Sequence, residues 1–223
     1  MAKSASFRFD CRLTGLFYLG FAFTGALGFL MIRAELFATG DPAQTLANLL
    51  ELEGLARIGI ALELGLVVFQ ALAATWFAKL FRDTDAFAAG ALALFGMVNA
   101  IVVLAGVALM RTALDVALEP LEANATTSHI LFLIGARFWE AGHIFFGLWL
   151  IPMGWLTWKA EFGPRLLGWI LILGGVGYVV SPFVTVLAPD IGAWVAVFPI
   201  LAAVGEFWMI GLLLWTGLRP QRG

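Results

Sequence analysis

Cysteine, histidine and charged side chains are all scarce in this sequence. Its 223 residues include a single cysteine, Cys11, so no disulfide can form within the chain, and cysteine usage does not indicate a redox compartment. The only two histidines, His129 and His143, exclude a zinc site built from three histidines. If one helix held both, they would lie about 21 Å apart at a rise of 1.5 Å per residue, which also disfavours a haem held between them.

The low content of charged residues excludes an ordinary soluble domain. Lys, Arg, Asp and Glu make up 13% of the chain, hydrophobic residues reach 62%, and the mean hydropathy is +0.97. This composition predicts a multi-pass membrane protein folded as a single bundle, whose partners are the lipid bilayer and a membrane-protein partner or a second copy. The net charge of -2 argues against nucleic acid as a partner, because nucleic acid requires a basic face.

Six apolar runs are long enough to cross a bilayer as helices, which predicts an all-α bundle with six transmembrane helices. The predicted spans cover about 13–32, 55–77, 87–110, 130–155, 165–187 and 194–215. We divide the chain into a cytoplasmic segment (1–12), the six-helix bundle (13–217) and a cytoplasmic tail (218–223). Basic residues before the first run also suit a signal peptide, but a run of about 20 residues is too long for one, so we expect a retained helix.

The polar segments between the runs predict the orientation. Asp41 and Pro42 predict the cap and first turn of a short amphipathic helix on the outer surface, reaching about Glu53. Residues 111–129 are predicted to form an acidic outer loop. The inner segments then carry most of the basic residues, so both ends are expected in the cytoplasm. The expected inner residues are Lys3, Arg8, Arg12, Lys79, Arg82, Lys159, Arg165, Arg219 and Arg222, and the outer ones are Arg33, Arg57, Arg111 and Arg137.

The fourth run holds the most unusual residues for a membrane span. Arg137, Glu140 and His143 follow one another at steps of three, so on a helix Glu140 has a potential partner on each side. Ionisable groups in a span face protein or water and have partners, and they are functional candidates by default. The complete candidate polar cluster comprises Arg57, Glu63, Asn99, Arg137, Glu140, His143 and Glu206.

Three interpretations of this cluster remain open. The leading one is a polar cavity for small-solute or proton-linked transport or sensing; the second is a structural ion-pair network in an accessory subunit of a larger membrane complex. In either case Glu63, Glu140 and Glu206 would pair with Arg57, Arg137 and His143. The third is a metal-dependent membrane enzyme, because Glu140-x-x-His143 has the ligand spacing of di-iron bundles, and Glu63 with Glu206 would complete a mononuclear site. Without a nucleophile triad, a phosphate-binding glycine loop or a redox cysteine pair, we expect no enzyme and no cofactor.

Several stretches together resemble a known family. They are RLTGLFYL near the amino end, the block HIFFGLWLIPMGWLTWKAEFGPRLLGWILILGGVGYVVSP, and the closing segment from Glu206-Phe207-Trp208 to Leu214-Trp215-Thr216-Gly217. They are similar to a family of bacterial six-helix integral membrane proteins catalogued as a domain of unknown function, number 4386. The resemblance implies the six-helix topology and supplies no substrate, cofactor or catalytic residue.

Overall fold

The computed structural model of this protein describes residues 5–119, 124–188, 190 and 197–219, and the secondary structure within these residues is entirely helical. Six helical runs are long and apolar enough to cross a membrane, which confirms the predicted fold class. The protein is therefore a multi-pass membrane protein in contact with lipid. Its elements are α1 (Ala5–Gly25), a π-helical segment (Ala26–Ile32), α2 (Arg33–Leu36), α3 (Pro42–Glu51), α4 (Glu53–Phe81), α5 (Ala86–Leu118), α6 (Asn124–Lys159), α7 (Arg165–Leu187) and α8 (Val197–Leu218).

The helices extend beyond the predicted apolar runs, and the predicted loop over residues 111–129 is wrong. Helix α5 continues to Leu118 and α6 begins at Asn124. Arg111 and Asp115 form an i,i+4 ion pair, which explains how a charged stretch continues the helix. Residues 120–123, including the predicted loop residue Glu122, lie outside the described residues, as does Trp194, the predicted start of the sixth span.

The short helix α3 begins where the sequence predicts. The Asp41 side chain accepts a hydrogen bond of 2.9 Å from the backbone N–H of Gln44, and Pro42 is the first helical residue. His129 of α6 lies 3.0 Å from the hydroxyl of Thr45, so a buried polar contact holds α3 against α6. The predicted cap at Asp41 is thus confirmed.

The residues group into two compact units. Unit A takes its described residues from 1–19, 69–99 and 142–223, and unit B takes its residues from 20–68 and 100–141. Helices α1, α4, α5 and α6 contribute residues to both units, whereas α7 and α8 belong to unit A and α3 belongs to unit B. This grouping assigns each candidate residue to one unit or the other.

Two pairs of glycines bring α6 and α7 together in unit A. A Cβ added to Gly175 would lie 2.7 Å from the carbonyl oxygen of Gly147, and one added to Gly168 would lie 2.9 Å from that of Gly154. Such distances leave no room for a side chain, and they let the two backbones touch directly. The segment from Gly147 to Gly154, which is part of the block that carries the family resemblance, therefore includes a helix-packing surface.

Candidate functional site

Glu206 of α8 is a carboxylic acid of unit A that lies within a candidate span and has a neutral hydrogen-bond partner. The Tyr18 hydroxyl of α1 donates a 2.6 Å hydrogen bond to Glu206 Oε1. Across the described ranges of the chain, no lysine, arginine or histidine lies within salt-bridge distance of this carboxyl group, and no described residue donates a hydrogen bond to Oε2. Tyr18 is fully buried, and Glu206 is partly buried. A potential negative charge thus lies in an apolar span with one neutral partner.

Aromatic rings connect Tyr18 of α1 to a second tyrosine, Tyr178 of α7. The Tyr18 ring lies 5.4 Å from Trp149, Trp149 lies 5.8 Å from Phe146, and Phe146 lies 4.9 Å from Tyr178, measured between ring centroids. We call Tyr18, Trp149, Phe146 and Tyr178 the aromatic arc; at one end of it the Tyr18 hydroxyl contacts Glu206.

The most buried ion pair among the described residues belongs to unit B and joins Glu63 of α4 to Arg33 of α2. Arg33 donates two hydrogen bonds, from Nη2 to Glu63 Oε2 at 2.6 Å and from Nε to Glu63 Oε1 at 3.0 Å. The exposed fractions of the two side chains are 10% for Arg33 and 2% for Glu63. A bidentate arginine–carboxylate pair of this kind satisfies both carboxylate oxygens and leaves no uncompensated charge.

The surroundings of this pair are narrow. A Cβ on Gly28 would lie 3.1 Å from Cγ of Glu63, and the Arg33 guanidinium lies 4.9 Å from the centroid of the Phe29 ring, which stacks on Trp139. A cavity of about 10 Å³ adjoins the pair, which is room for about one water molecule and none for a solute. Its lining residues are Arg33, Glu63, Val102, Val103, Gly106, Gly135 and Trp139.

The predicted pair of Arg137 and Glu140 is present, and it is exposed. Arg137 Nη1 lies 2.5 Å from Glu140 Oε2, as the sequence suggested, but the exposed fractions of these side chains are 69% and 48%. Arg57 does not pair with Glu63: it forms an exposed i,i+4 pair with Glu53 on its own helix. The predicted partner of Glu63 was therefore wrong, because Arg33 offers a buried, bidentate alternative.

The seven predicted residues do not share one compact unit. Four of them, Arg57, Glu63, Arg137 and Glu140, belong to unit B, whereas Asn99, His143 and Glu206 belong to unit A. Asn99 is buried in α5, and the His143 ring lies 5.0 Å from the Tyr178 ring. Among residues 5–119, 124–188, 190 and 197–219, no three His, Cys, Asp or Glu side chains converge as a metal site would require. The predicted mononuclear metal site of Glu140 and His143 with Glu63 and Glu206 is therefore not formed by the described residues.

Two central residues, Arg33 and Tyr18, were absent from the predicted cluster. Arg33 was predicted to lie at the outer end of the first span. It follows Gly25 by about two helical turns, so the two residues lie on nearly the same helical face. That face is packed, because a Cβ added to Gly25 would lie 2.9 Å from Leu66. Tyr18 lies inside the first apolar run, where a hydroxyl needs a partner, and this was the available signal.

Comparison with known proteins gives a family and one partial relative. The family model described as Domain of unknown function (DUF4386) matches residues 13–217. A protein of Archaeoglobus fulgidus described as uncharacterized is 30% identical over 73 residues, which are 32% of this chain and 43% of that protein. The chain thus spans less than half the length of this curated relative. No solved structure matches the chain.

Proposed function

This chain belongs to the family described as Domain of unknown function (DUF4386), and we propose that it carries out proton-linked transport of a small solute, with Glu206 as the proton-carrying group. One observation carries the proposal: Glu206 lies within a candidate span, and its only hydrogen-bond donor among the described residues is the neutral Tyr18 hydroxyl. An ionised carboxylate without a cation is costly in an apolar span, so this group must hold a proton or a positively charged ligand.

Tyr18 suits a carboxyl group that changes its charge. Its hydroxyl can donate to an ionised Glu206 and can accept from a protonated one, so the contact at 2.6 Å persists in both states. The Arg33–Glu63 pair is less suited to this role. Its bidentate geometry already satisfies both partners, and the adjoining cavity holds about one water, so we assign it a structural role in unit B.

Infrared difference spectroscopy on the purified protein tests whether Glu206 exchanges its proton. We expect a carboxyl stretching band that changes reversibly as the pH is stepped, that shifts in heavy water, and that Glu206→Gln removes. The exposed Glu140→Gln variant is the matched control and should keep the band, because Glu140 belongs to an existing pair. A pH-dependent band of equal intensity in wild type and Glu206→Gln would contradict the assignment.

We also propose that the protein lies in the bacterial inner membrane with both of its ends in the cytoplasm. Cysteine labelling in a Cys11→Ser background tests it. An impermeant maleimide added to intact spheroplasts should label Thr127→Cys, an exposed position near the start of α6, and should not label Asp83→Cys, whose side chain is 95% exposed. Labelling of Asp83→Cys alone would reverse the orientation.

The exposed Arg137–Glu140 pair favours a second candidate function, in which the protein assembles with a partner. Both charges lie inside the span of α6 and are exposed, so lipid is an unfavourable neighbour for them. A positive and a negative charge one turn apart are self-complementary about a two-fold axis, so a second copy of this chain is the fitting partner. Oxidation of Ala141→Cys in the Cys11→Ser background should then give a crosslinked dimer in native membranes. If the crosslinked fraction of Ala141→Cys is no larger than that of Thr127→Cys, this interface is excluded.

A further inference from the structure

We propose that unit B has a binding site for one water molecule, in the cavity beside the Arg33–Glu63 pair, where the water accepts a hydrogen bond from Arg33 Nη1. The inference concerns a different site from Glu206 and does not depend on the proposed function. One water is too little to solvate the two charges, so the structural role of the pair is unchanged, and the water completes its hydrogen bonding.

The guanidinium of Arg33 has more donors than Glu63 uses. Arginine carries N–H donors on Nε and on both terminal nitrogens, and the two hydrogen bonds to Glu63 come from Nε and Nη2. No described residue accepts a hydrogen bond from Nη1, although the Arg33 side chain is only 10% exposed. A buried ion pair stabilises a protein only where further hydrogen bonds satisfy its remaining donors, so Nη1 requires an acceptor.

The cavity beside the pair has the size of one water molecule and lies where Nη1 needs a partner. Its volume is about 10 Å³, and its lining includes Arg33, Glu63, Gly106 and Gly135. A Cβ built on Gly135 would lie 3.5 Å from Arg33 Nη1 and 3.5 Å from the carbonyl oxygen of Gly106. A water close to this point therefore reaches a donor and an acceptor, and the Glu63 carboxylate offers further acceptor capacity on the cavity wall.

The charges on the cavity wall select a neutral ligand. Arg33 would attract an anion, but the Glu63 carboxylate would repel it, and for a cation the two effects are reversed. An apolar molecule would leave Nη1 without an acceptor. Water both accepts and donates hydrogen bonds, and it matches the volume of the cavity, so it is the ligand that satisfies both walls.

Gly106 and Gly135 keep this space open, because close packing does not require glycine at either position. The nearest atom to an added Cβ would lie 3.6 Å away at Gly106 and 3.5 Å away at Gly135, which are ordinary contact distances. At Gly175, by contrast, the added Cβ would lie 2.7 Å from a facing carbonyl oxygen. The protein can therefore accommodate alanine at both cavity glycines, and the new methyl group would displace the water.

Gly135→Ala tests for the water by the sign of its effect on thermal unfolding of the full chain in detergent. Alanine in place of a helical glycine normally stabilises a protein, because it reduces the freedom of the unfolded chain. Gly90→Ala in α5, with no atom within 4 Å of its added Cβ, is the matched control and should raise the midpoint. Gly135→Ala should lower the midpoint, because its methyl group replaces the acceptor of Arg33 Nη1. Gly106→Ala should lower it as well.

Removal of the charges should reverse this sign. In the double variant Arg33→Met/Glu63→Met no donor needs the water, so Gly135→Ala should raise the midpoint there. A crystal structure that resolves ordered water tests the site independently of whether the double variant folds. We expect a single-atom density peak within about 3 Å of Arg33 Nη1 in wild type and none in Gly135→Ala.

Three results would each overturn the proposal. The first is a wild-type crystal structure with no peak beside Arg33 Nη1, or with a density larger than one water molecule. The second is a rise in the midpoint for Gly135→Ala like that for Gly90→Ala. The third is an equal effect of Gly135→Ala with and without the two charges, because the loss would then be steric.

Discussion

Replacing Glu63 with glutamine should destabilise the protein more than replacing any exposed acid in the same helix. Glu63 and Arg33 have exposed side-chain fractions of 2% and 10% and share two hydrogen bonds, of 2.6 and 3.0 Å. Glu63→Gln keeps the shape but leaves the Arg33 guanidinium buried without a counter-charge. Removal of one partner from a buried pair typically costs about 3–5 kcal/mol, so we expect a loss of that size in the free energy of unfolding.

The second partner and a matched exposed pair make this test specific. Arg33→Met should cost a similar amount, and the double variant Glu63→Gln/Arg33→Met should recover much of the loss, because no unpaired charge remains. Helix α4 offers the control: Glu53 pairs with Arg57 at exposed fractions of 41% and 48%, so Glu53→Gln should cost at most about 1 kcal/mol.

Unfolding in mixed micelles with increasing dodecyl sulfate gives the four free energies of the double-mutant cycle. The expected coupling between Glu63 and Arg33 is a few kcal/mol, of the sign that shows the two residues stabilise each other. A coupling near zero, or a Glu63→Gln loss no larger than that of Glu53→Gln, would refute a structural ion pair and would favour a water-filled site in its place.

Three further outcomes follow from unit A. Gly175→Ala should lower the midpoint of thermal unfolding, because the added Cβ would lie 2.7 Å from the carbonyl oxygen of Gly147. Gly211→Ala is the control and should leave the midpoint unchanged, because no atom lies within 4 Å of its added Cβ. Similar shifts for both variants would contradict the close packing. Gln70→Met should stabilise the protein by about 1–3 kcal/mol, because both amide atoms of this fully buried residue lack partners in the described part of the chain. A loss of stability in this variant would instead indicate that a ligand or water binds the amide. The hydrogen bond from Lys159, with further ones from a backbone N–H and an indole N–H, lowers the pKa of Asp85 from 3.8 to about 2. The stabilising contribution of Asp85 is therefore present above about pH 4 and is lost as the pH falls toward 2. In thermal unfolding, Asp85→Asn should destabilise the protein at pH 7 and have little effect at pH 2.

The sequence was sufficient to predict the elements of this fold because the membrane restricts them strongly. Long apolar runs have to be helical when they cross a bilayer, and Asp41 followed by Pro42 has a specific capping geometry, so the six spans and the start of α3 were predictable. The helix ends were less predictable. Charges at Arg111 and Asp115 were interpreted as a loop, yet on a helix they pair and extend α5.

The candidate site was less predictable because sequence spacing identifies partners only within one helix. Arg137 and Glu140 lie one turn apart, and that pairing was found; it proved to be exposed. The contacts from Arg33 to Glu63 and from Tyr18 to Glu206 join residues far apart in the chain, and helical periodicity contains no information on which helices are neighbours. Burial of a charge likewise depends on the packing of other helices.

The pH dependence of the Glu206 carboxyl band, followed by infrared difference spectroscopy on the full chain in lipid nanodiscs, is the most direct test of Glu206 as the proton-carrying group. Glu206→Gln removes the carboxyl group, and Glu206→Asp keeps one at the same position. We expect a reversible, pH-dependent carboxyl band that shifts in heavy water in wild type, the same kind of band at a different frequency in Glu206→Asp, and no such band in Glu206→Gln. Equal bands in wild type and Glu206→Gln, or no pH-dependent carboxyl band in wild type, would contradict this role of Glu206.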